Sequence, residues 1–489
     1  MSISNALNNA ASGLAASARL ADTISNNVAN AMTPGFGRRT TELSSVALGG
    51  FGSGVKVMGT GRTDDPFLTA ERRGMDAALG ATGTRSDAYE RMLAAFGDPG
   101  SAGALSTLAT RLETTLMSAT ASPQSVPKLA EAVNSAKDVA AAVNRIAAEN
   151  SRLRTEADAE INRQVTQVND ALKAVQDINR KIANLEPQGV DTSALQDERH
   201  RIIDGISSII PVRTVKRDGN QVAIYTANGA PLLDGRLFAL SFQPAPNVVT
   251  ADMTLGAPLG RLMQDLGAST GPVPVDMGTG AGLMDGGSLS ALFEVRDRIV
   301  PEFDAEMDRY ANDLIERFRD LMPPAALDGS GNGLFVDRSP GPLTGLAGRL
   351  QVNVAVDPAQ PGGAVWRLRD GLNAAAPGNE GFGTYLQALS DAMVDPRNPV
   401  GFVSQNAANG SATMASEIAS FFAGRAARSD EDRAYLNARQ AVLAERETHA
   451  IGVDTDGELQ SLILVEQSYA ANARVLTVVD TLMKLLLEA

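Results

Sequence analysis

Two short acidic segments contain the residue types of a cation site, because both combine Asp with small polar residues and glycine. The segment DGSGNGLF, residues 328–335, spaces Asp328 and the next two polar residues as the start of a calcium loop does. Such a loop ends on a glutamate that binds the ion through both oxygens, and Ser339 stands there instead. The segment DTDG, residues 454–457, also fails this template. We therefore expect a turn at the first segment and a helix start at the second, with no metal site.

The residues that most often carry out catalysis are scarce. The chain has no cysteine, so a thiolate nucleophile is excluded. It has only two histidines, His200 and His449, so a catalytic Ser-His-Asp triad has few candidate residues. The segment GGFGSGVKV, residues 49–57, lacks the Gly-Lys-Ser/Thr ending of a phosphate loop and predicts a glycine turn that leads into a strand. The acidic run SDEDR, residues 429–433, predicts a solvated helix start, and His200 is expected to be exposed among charges. We predict no catalytic residue, no cofactor and no metal, and a protein that is not an enzyme.

Charge and hydropathy argue against two further classes of function. The 489 residues carry a formal net charge of −14, with a sequence pI of about 4.8, and this disfavours binding to nucleic-acid phosphates. The first basic residue is Arg19, so the N-terminus lacks the charged region that begins a cleaved signal peptide. The apolar tail RVLTVVDTLMKLLLEA contains Asp480 and Lys484 and is too short to span a bilayer. We expect a soluble chain that does not insert into membranes.

Both ends of the chain carry the apolar repeat of packed helices, with steps of three and four residues. Each repeat has a single polar member, Ser17 in the first and Asn472 in the second. Such a residue either fixes the register of a helix pair or is tolerated at its edge, and the sequence leaves both alternatives open. The two matching repeats predict that the terminal helices pair with each other. Their members are Ile3, Leu7, Ala10, Leu14, Ser17, Ala21, Ile24 and Val28, and Leu462, Val465, Tyr469, Asn472, Leu476, Val479, Met483 and Leu486.

Proline, glycine and helix-capping residues mark the inner ends of these helices. The first helix is expected to end at Asn30, because Pro34 disfavours helix in the residue before it. A type II turn at Thr33-Pro34-Gly35 is expected, with Gly35 supplying a positive φ angle. The last helix begins with Thr455-Asp-Gly-Glu458, which matches a capping box in which the two side chains satisfy unpaired N–H groups.

The middle of the chain predicts a helical bundle with an insertion. Helical apolar spacing covers residues 161–185, 195–209 and 292–321, whereas residues 212–242 alternate as strands do. The fold class is mainly α with an inserted β domain. Three units are predicted: a terminal-helix domain (1–60 with 452–489), a helical bundle (61–211 with 288–451, including a loop and β excursion at 325–381), and a β-rich domain (212–287). Few core residues should be shared across the boundaries of the last unit.

The N-terminal segment SGLAASARLADTISNNVANAMTPGFGRRT resembles the signature of bacterial flagellar axial proteins, the rod, hook and hook-associated family. That signature has a small-residue helix, then Asn-x-x-Asn, Thr-Pro-Gly, an aromatic residue and often Arg. The C-terminal segment GVDTDGELQSLILVEQSYAANARVLTVVDTLMKLLL is similar to the family's other signature. The residues that the resemblance assigns to subunit contact and assembly are Asn27, Asn30, Thr33, Pro34, Gly35, Phe36 and Arg38 at one end, and Leu462, Gln467, Tyr469, Asn472, Arg474 and Leu476 at the other.

Within that family, the chain is most similar to subunits of the junction between hook and filament. The resemblance implies a coiled-coil axial domain made from the terminal helices, a central bundle and an outer β domain. It also implies self-association in a ring or short tubular layer, with hook protein on one side and another hook-associated junction protein on the other. It further implies an export chaperone before assembly, and secretion through the flagellar type III apparatus to an extracellular position on the flagellum.

Two alternatives remain at this stage. A hook or distal rod subunit belongs to the same family, but such subunits usually carry more β structure and lack a helical segment as long as residues 128–185. A helical coiled-coil signalling protein is the alternative from a different class, since long repeats of this kind also transmit signals. Such proteins usually need a membrane span, which this sequence does not predict.

Overall fold

The computed structural model describes residues 3–48, 51–256, 258–267, 271–398 and 400–488. Within these ranges the chain is mostly helical, with several small β-sheets, as the sequence predicts. Gly49 and Gly50 of the glycine segment, and the side chains of Ile3 and Leu486 in the two terminal repeats, lie outside the described part.

The helices differ greatly in length, and the longest is α4 with 60 residues. In chain order they are α1 (Ile3–Asn30), α2 (Pro66–Phe96), α3 (Leu105–Thr120), α4 (Val126–Leu185), α5 (Ser193–Ser207), α6 (Ser288–Glu294), α7 (Val300–Asp320), α8 (Arg367–Asp370), α9 (Thr384–Val394), α10 (Ser411–Ile451) and α11 (Thr455–Glu488). In the described part, no helix is long and apolar enough to cross a bilayer.

The strands form one long hairpin and several short sheets. They are β1 (Arg39–Leu48), β2 (Phe51–Arg62), β3 (Val212–Lys216), β4 (Val222–Thr226), β5 (Pro231–Asp234), β6 (Arg236–Leu237), β7 (Leu240–Ser241), β8 (Thr254–Leu255), β9 (Pro258–Leu259), β10 (Leu262–Gln264), β11 (Val273–Val275), β12 (Phe335–Asp337) and β13 (Leu350–Val352). The sheets have the orders β1-β2, β3-β4-β5-β6, β11-β10-β7, β8-β9 and β12-β13, and only β8 and β9 pair in parallel.

The terminal helices α1 and α11 lie side by side and run antiparallel. Ser17 faces Ser468 across the pair, with 3.5 Å between the hydroxyl oxygens, and Gly13 faces Asn472. A Cβ atom at Gly13 would lie 2.7 Å from Asn472 Nδ2, so a larger residue there would have to displace the Asn472 side chain. The β1–β2 hairpin covers another side of α1, where Ser12 Oγ accepts a hydrogen bond from the Val55 amide at 3.2 Å.

The bundle is built around α4, which buries apolar residues along nearly its whole length. Helices α2, α3, α5, α6 and α7 pack against it and contribute to one continuous apolar core. The expected helix at 292–321 is interrupted by a π-helical segment at Val295–Ile299. Pro301 follows this segment and has no N–H to donate to the carbonyl of residue 297, which explains why the regular hydrogen-bond pattern changes there. The run SDEDR lies inside α10, so its interpretation as a helix start is wrong.

The β-rich segment 212–287 lies directly on α4. Its Ile224 and Leu233 belong to the same apolar core as the helix residues. Asn179 of α4 donates to the Val222 carbonyl (2.8 Å) and accepts from its amide (3.2 Å), and Asn169 binds Leu240 in the same way (2.7 and 2.9 Å). The expectation that few core residues are shared across these boundaries is therefore wrong. The division into three domains stays a prediction.

One buried polar pair in the core is completed by a proton. Asn150 of α4 donates from Nδ2 to Asp304 Oδ1 of α7 at 2.6 Å, and both side chains are buried. Asn150 Oδ1 and Asp304 Oδ2 have no hydrogen-bond partner among the described residues. Protonation of Asp304 removes a buried charge and gives Oδ2 a proton to donate. Burial raises the pKa of Asp304 to about 7, and the nearby carboxylate of Asp308 acts in the same direction, whereas the hydrogen bond from Asn150 and the Arg154 charge oppose it.

The pair makes stability depend on pH in a defined window. Because the native pKa of Asp304 lies above the unfolded value of 3.8, its contribution is complete below pH 3.8 and is lost as the pH rises through 7. The free energy of unfolding is expected to fall by about 2–3 kcal/mol between pH 5 and 8 from this group. The Asp304→Asn variant keeps a neutral partner for Asn150, so its urea midpoint should change much less over that range. The exposed Asp430→Asn variant should follow the parent, and equal slopes for all three proteins would contradict the assignment.

Candidate assembly joint

The segment that connects α1 to β1 begins with a rigid turn. The Phe36 amide donates to the Thr33 carbonyl at 3.1 Å, and Gly35 has a φ angle of +80°. Because Pro34 precedes Gly35 and cannot adopt a positive φ angle, this is the expected type II turn. Helix α1 ends at Asn30, as predicted, and the Asn30 side chain donates back to the Asn26 carbonyl at 2.9 Å. Thr33, Pro34 and Gly35 are exposed.

Asn27 fixes the chain where it returns from the turn. Its side chain is 1% exposed and makes two hydrogen bonds to the backbone of Arg39. Nδ2 donates to the Arg39 carbonyl at 2.9 Å, and Oδ1 accepts from the Arg39 amide at 2.8 Å. These two bonds satisfy the backbone amide and carbonyl of the first residue of β1, and they tie the hairpin to the last turns of α1.

A carboxylate from the bundle closes the base of the hairpin. Arg39 and Arg62 are direct partners across β1 and β2, and two like charges in such a pair repel each other. Asp197 of α5 accepts from both guanidinium groups, from Arg62 Nε at 2.7 Å and from Arg39 at a short distance, and from the Gly37 amide at 3.2 Å. All three charged side chains are largely buried. Asp197 thereby joins the hairpin to the bundle.

Phe36 and Gly37 shape the surroundings of this ion pair. The Arg39 guanidinium carbon lies 4.5 Å from the centre of the Phe36 ring, in the position of a cation–π contact. A Cβ atom at Gly37 would lie 2.5 Å from Arg62 Nε, so a larger residue would push the Arg62 side chain away. Phe36 therefore contacts the Arg39 side chain, and Gly37 leaves the space that the Arg62 side chain occupies.

Arg38 connects the same segment to the last helix. Its Nε donates to Glu458 Oε1 at 2.6 Å, and its amide donates to the Ile451 carbonyl at the end of α10. Glu458 is 2% exposed and is engaged by Arg38, so the predicted capping box of Thr455 and Glu458 is wrong. Asp454 takes the capping role, because its Oδ1 accepts from the Asp456 amide at 3.1 Å. We call residues 31–39, Arg62, Asp197 and Glu458 the joint.

The predicted contact residues on α11 divide into two groups. Leu462, Asn472 and Leu476 are partly buried, whereas Gln467, Tyr469 and Arg474 are exposed. Asn472 lies against Gly13 of α1 and donates to the Ser468 carbonyl at 3.1 Å. Ser17 is 4% exposed, so both polar members of the terminal repeats lie within the helix contact. A role of these residues in assembly stays a prediction.

Sequence reasoning missed the acidic partners of the joint. Asp197 and Glu458 lie 158 and 420 residues from their arginine partners, so no local pattern connects them. The available signal was the pair Arg38-Arg39 after a rigid turn, since two arginines with fixed backbone positions need acidic partners. The sequence predicted a strand after the glycine turn, which is β2, but it did not predict β1 as the other strand of the hairpin.

The candidate catalytic and metal residues do not converge on a site. Asp328 accepts from the amides of Ser330 and Asn332, both at 2.8 Å, in the expected turn. Across the described ranges, no group of three or more His, Asp or Glu residues is placed to hold a metal ion. His200 is half-buried, contrary to expectation, and burial lowers its pKa to about 3, with the Arg62 charge acting in the same direction. His449 is exposed.

The Asn27 contacts predict a stability effect at the joint. Asn27→Ala leaves the amide and carbonyl of Arg39 without partners in a buried place, which should destabilise the hairpin attachment by about 2–4 kcal/mol. Hydrogen exchange of the Arg39 amide should accelerate accordingly. The neighbouring Asn26→Ala change is the matched control, because Asn26 is exposed and its backbone carbonyl is kept. Similar exchange rates in the two variants would show that Asn27 does not hold the joint.

Comparison with known proteins gives matches in two parts of the chain. The family model described as the flagellar hook-associated protein FlgK helical domain matches residues 90–332, and that of the flagella basal body rod protein matches residues 7–36. Flagellar hook-associated protein 1 of Salmonella typhimurium is 29% identical over 248 residues, which are 48% of this chain and 43% of that protein. The Bacillus subtilis protein of the same name is 25% identical over 235 residues, or 46% of each chain.

One solved structure is also similar, the flagellar hook junction protein FlgK from Burkholderia pseudomallei. It has a TM-score of 0.44 and 17% identity, and the match covers 55% of this chain and 46% of that one. The chain spans less than half the length of the curated relatives that it matches. The two family models and the sequence relatives agree with each other, and over about half of its length the chain is similar to flagellar hook-associated protein 1.

Proposed function

We propose that this protein is a structural subunit of the bacterial flagellum that joins the hook to the filament and has no enzymatic activity. The observation that carries this proposal is a second apolar stripe on α11, which no described residue of the chain covers. A helix that is apolar on two sides needs two partners, and α1 supplies only one of them.

The stripe lies in the C-terminal part of α11, where its members follow one another at intervals of three and four residues. It lies about 120° around the helix from the repeat that contains Asn472. Its large apolar members, all between 43% and 58% exposed, are Val475, Val478, Leu482 and Leu485.

The position of the stripe on a helix pair favours a second copy of this chain as the partner. From residue 475 to 485 the stripe is about 15 Å long, or nearly three turns of helix. A pair of helices such as α1 and α11 is marginally stable in water and gains stability when neighbours cover its outer faces. Identical subunits placed around one axis would supply such neighbours in a closed ring or short tube.

The layered arrangement follows from this packing. The terminal helices, with residues 1–60 and 452–489, would form a coiled-coil axial domain, the bundle the middle layer, and residues 212–287 the outer domain. Hook protein would contact one end of the ring and another hook-associated protein the other. The chain would reach this extracellular position through the flagellar type III apparatus, accompanied by an export chaperone.

Isolated hooks provide the test of the proposed function. Purified protein is expected to cap the distal ends of hooks in electron micrographs, and binding along their sides or none at all would contradict the junction role. Val478→Glu places a charge on the outer stripe and should reduce capping at least tenfold. Thr477→Glu is the matched control, since Thr477 is exposed and points elsewhere on the helix, and it should cap as the parent does. Equal capping by both variants would remove the stripe from the mechanism.

The turn at Gly35 gives a second test of assembly. Gly35→Val puts a β-branched residue at a φ angle of +80°, which should distort the joint and prevent incorporation at hook ends. Gly35→Asn should still cap most of the hook ends that the parent caps, because Asn tolerates positive φ angles. Both variants should keep the thermal unfolding of the bundle. If Gly35→Val capped hooks like the parent, the direction of the chain at this turn would not matter for assembly.

A further inference from the structure

A large polar cleft lies between the hairpin and the bundle. Its volume is about 850 Å³. One wall comes from β2, the opposite wall from residues 186–200, and the floor from β3 and the turn at Asn220. The joint therefore has a polar space beside it, and Arg62 of the joint contributes to its lining.

Arg199 lies in this cleft with its charge unbalanced. The side chain is 3% exposed. Its Nη1 donates to Asn179 Oδ1 at 3.0 Å and to the Asn220 carbonyl at 2.7 Å, but Nε is buried and has no hydrogen-bond partner in the described part of the chain. No ion pair joins Arg199 to a described carboxylate. The carboxylates of Asp64 and Glu186 partly offset the effect of burial on its pKa, but neither lies within ion-pair distance of the guanidinium.

Two other cations of the cleft have acidic partners, and a third, Arg19, is exposed. Lys216 Nζ lies 3.0 Å from Asp64, and Arg62 binds Asp197. The remaining acids that line the cleft, Glu42, Glu186 and Asp191, are exposed. Burial lowers the pKa of Arg199 to about 10, so the group is still positively charged at neutral pH. Arg199 is thus the one lining cation in the described residues that is both buried and unneutralised.

We propose that this cleft is an oxyanion-binding site centred on Arg199. A carboxylate or phosphate oxygen in the cleft can accept from the guanidinium group, and planar guanidinium groups bind such oxyanions well. The anion could be a small one from solution or an acidic side chain of a second copy of this chain. The site does not rest on the proposed role at the hook, because the first source requires no assembly.

Inorganic phosphate is the probe for the first source. Binding to the full-length parent protein is measured by phosphorus NMR at constant ionic strength and at a dilution where the chain is monomeric. We expect saturable binding that is about tenfold weaker in Arg199→Gln, as expected for loss of one charged hydrogen bond. Arg428→Gln, which removes an exposed cation on α10, should bind phosphate as the parent does.

Sedimentation equilibrium distinguishes the second source. If a second copy provides the carboxylate, the parent should self-associate, phosphate should compete, and Arg199→Gln should weaken the association about tenfold. Asn220→Asp is a second variant, used in case Arg199→Gln does not fold. It places a carboxylate next to Arg199, and Asp, like Asn, tolerates the φ angle of +51° at residue 220. It should reduce phosphate binding or association by a similar factor. The proposal is wrong if neither phosphate binding nor self-association changes in the Arg199→Gln or Asn220→Asp variant.

Discussion

The arrangement of the terminal helices relative to the bundle depends on one carboxylate, that of Asp197. Arg39 and Arg62 face each other at the base of the hairpin, and without an acid between them their charges would separate the two strands. Asp197 satisfies both and also the Gly37 amide. Because Asp197 belongs to a bundle helix, the same contact that closes the hairpin also sets its position on the bundle.

The other features of the joint gain their effect from this ion pair. The type II turn reverses the chain so that Asn27 meets the backbone of Arg39, and this brings the Arg39 side chain to Asp197. Arg38, one residue earlier, points to Glu458 at the start of α11. Two adjacent arginines thus attach the segment after α1 to the bundle and to the last helix. A subunit built this way can present α1 and α11 to its neighbours as one unit.

The sequence predicted what depends on nearby residues. The end of α1 and the turn at Gly35 follow from local spacing and punctuation, and the structure has both, whereas Leu7, Tyr469 and Met483 of the apolar repeats are exposed. It could not predict Asp197, because charge pairing over such a separation leaves no local pattern. Glu458 was assigned to a capping box because its spacing fits one, but in the structure its buried carboxylate pairs with the half-exposed Arg38 side chain. Strand alternation at 212–242 was recognised, whereas the packing of those strands on α4 depends on faces that periodicity alone does not orient.

The distance between the terminal helices and the bundle is the most direct test that Asp197 fixes their relative position. Because the chain has no cysteine, Ala18→Cys on α1 and Gln167→Cys on α4 can carry two unique spin labels at exposed positions. Double electron–electron resonance should give one narrow distance distribution for the parent and a clearly broader one when Asp197→Ala is added. A broad distribution in the parent, or one that stays equally narrow after the Asp197 change, would contradict the central role of this carboxylate.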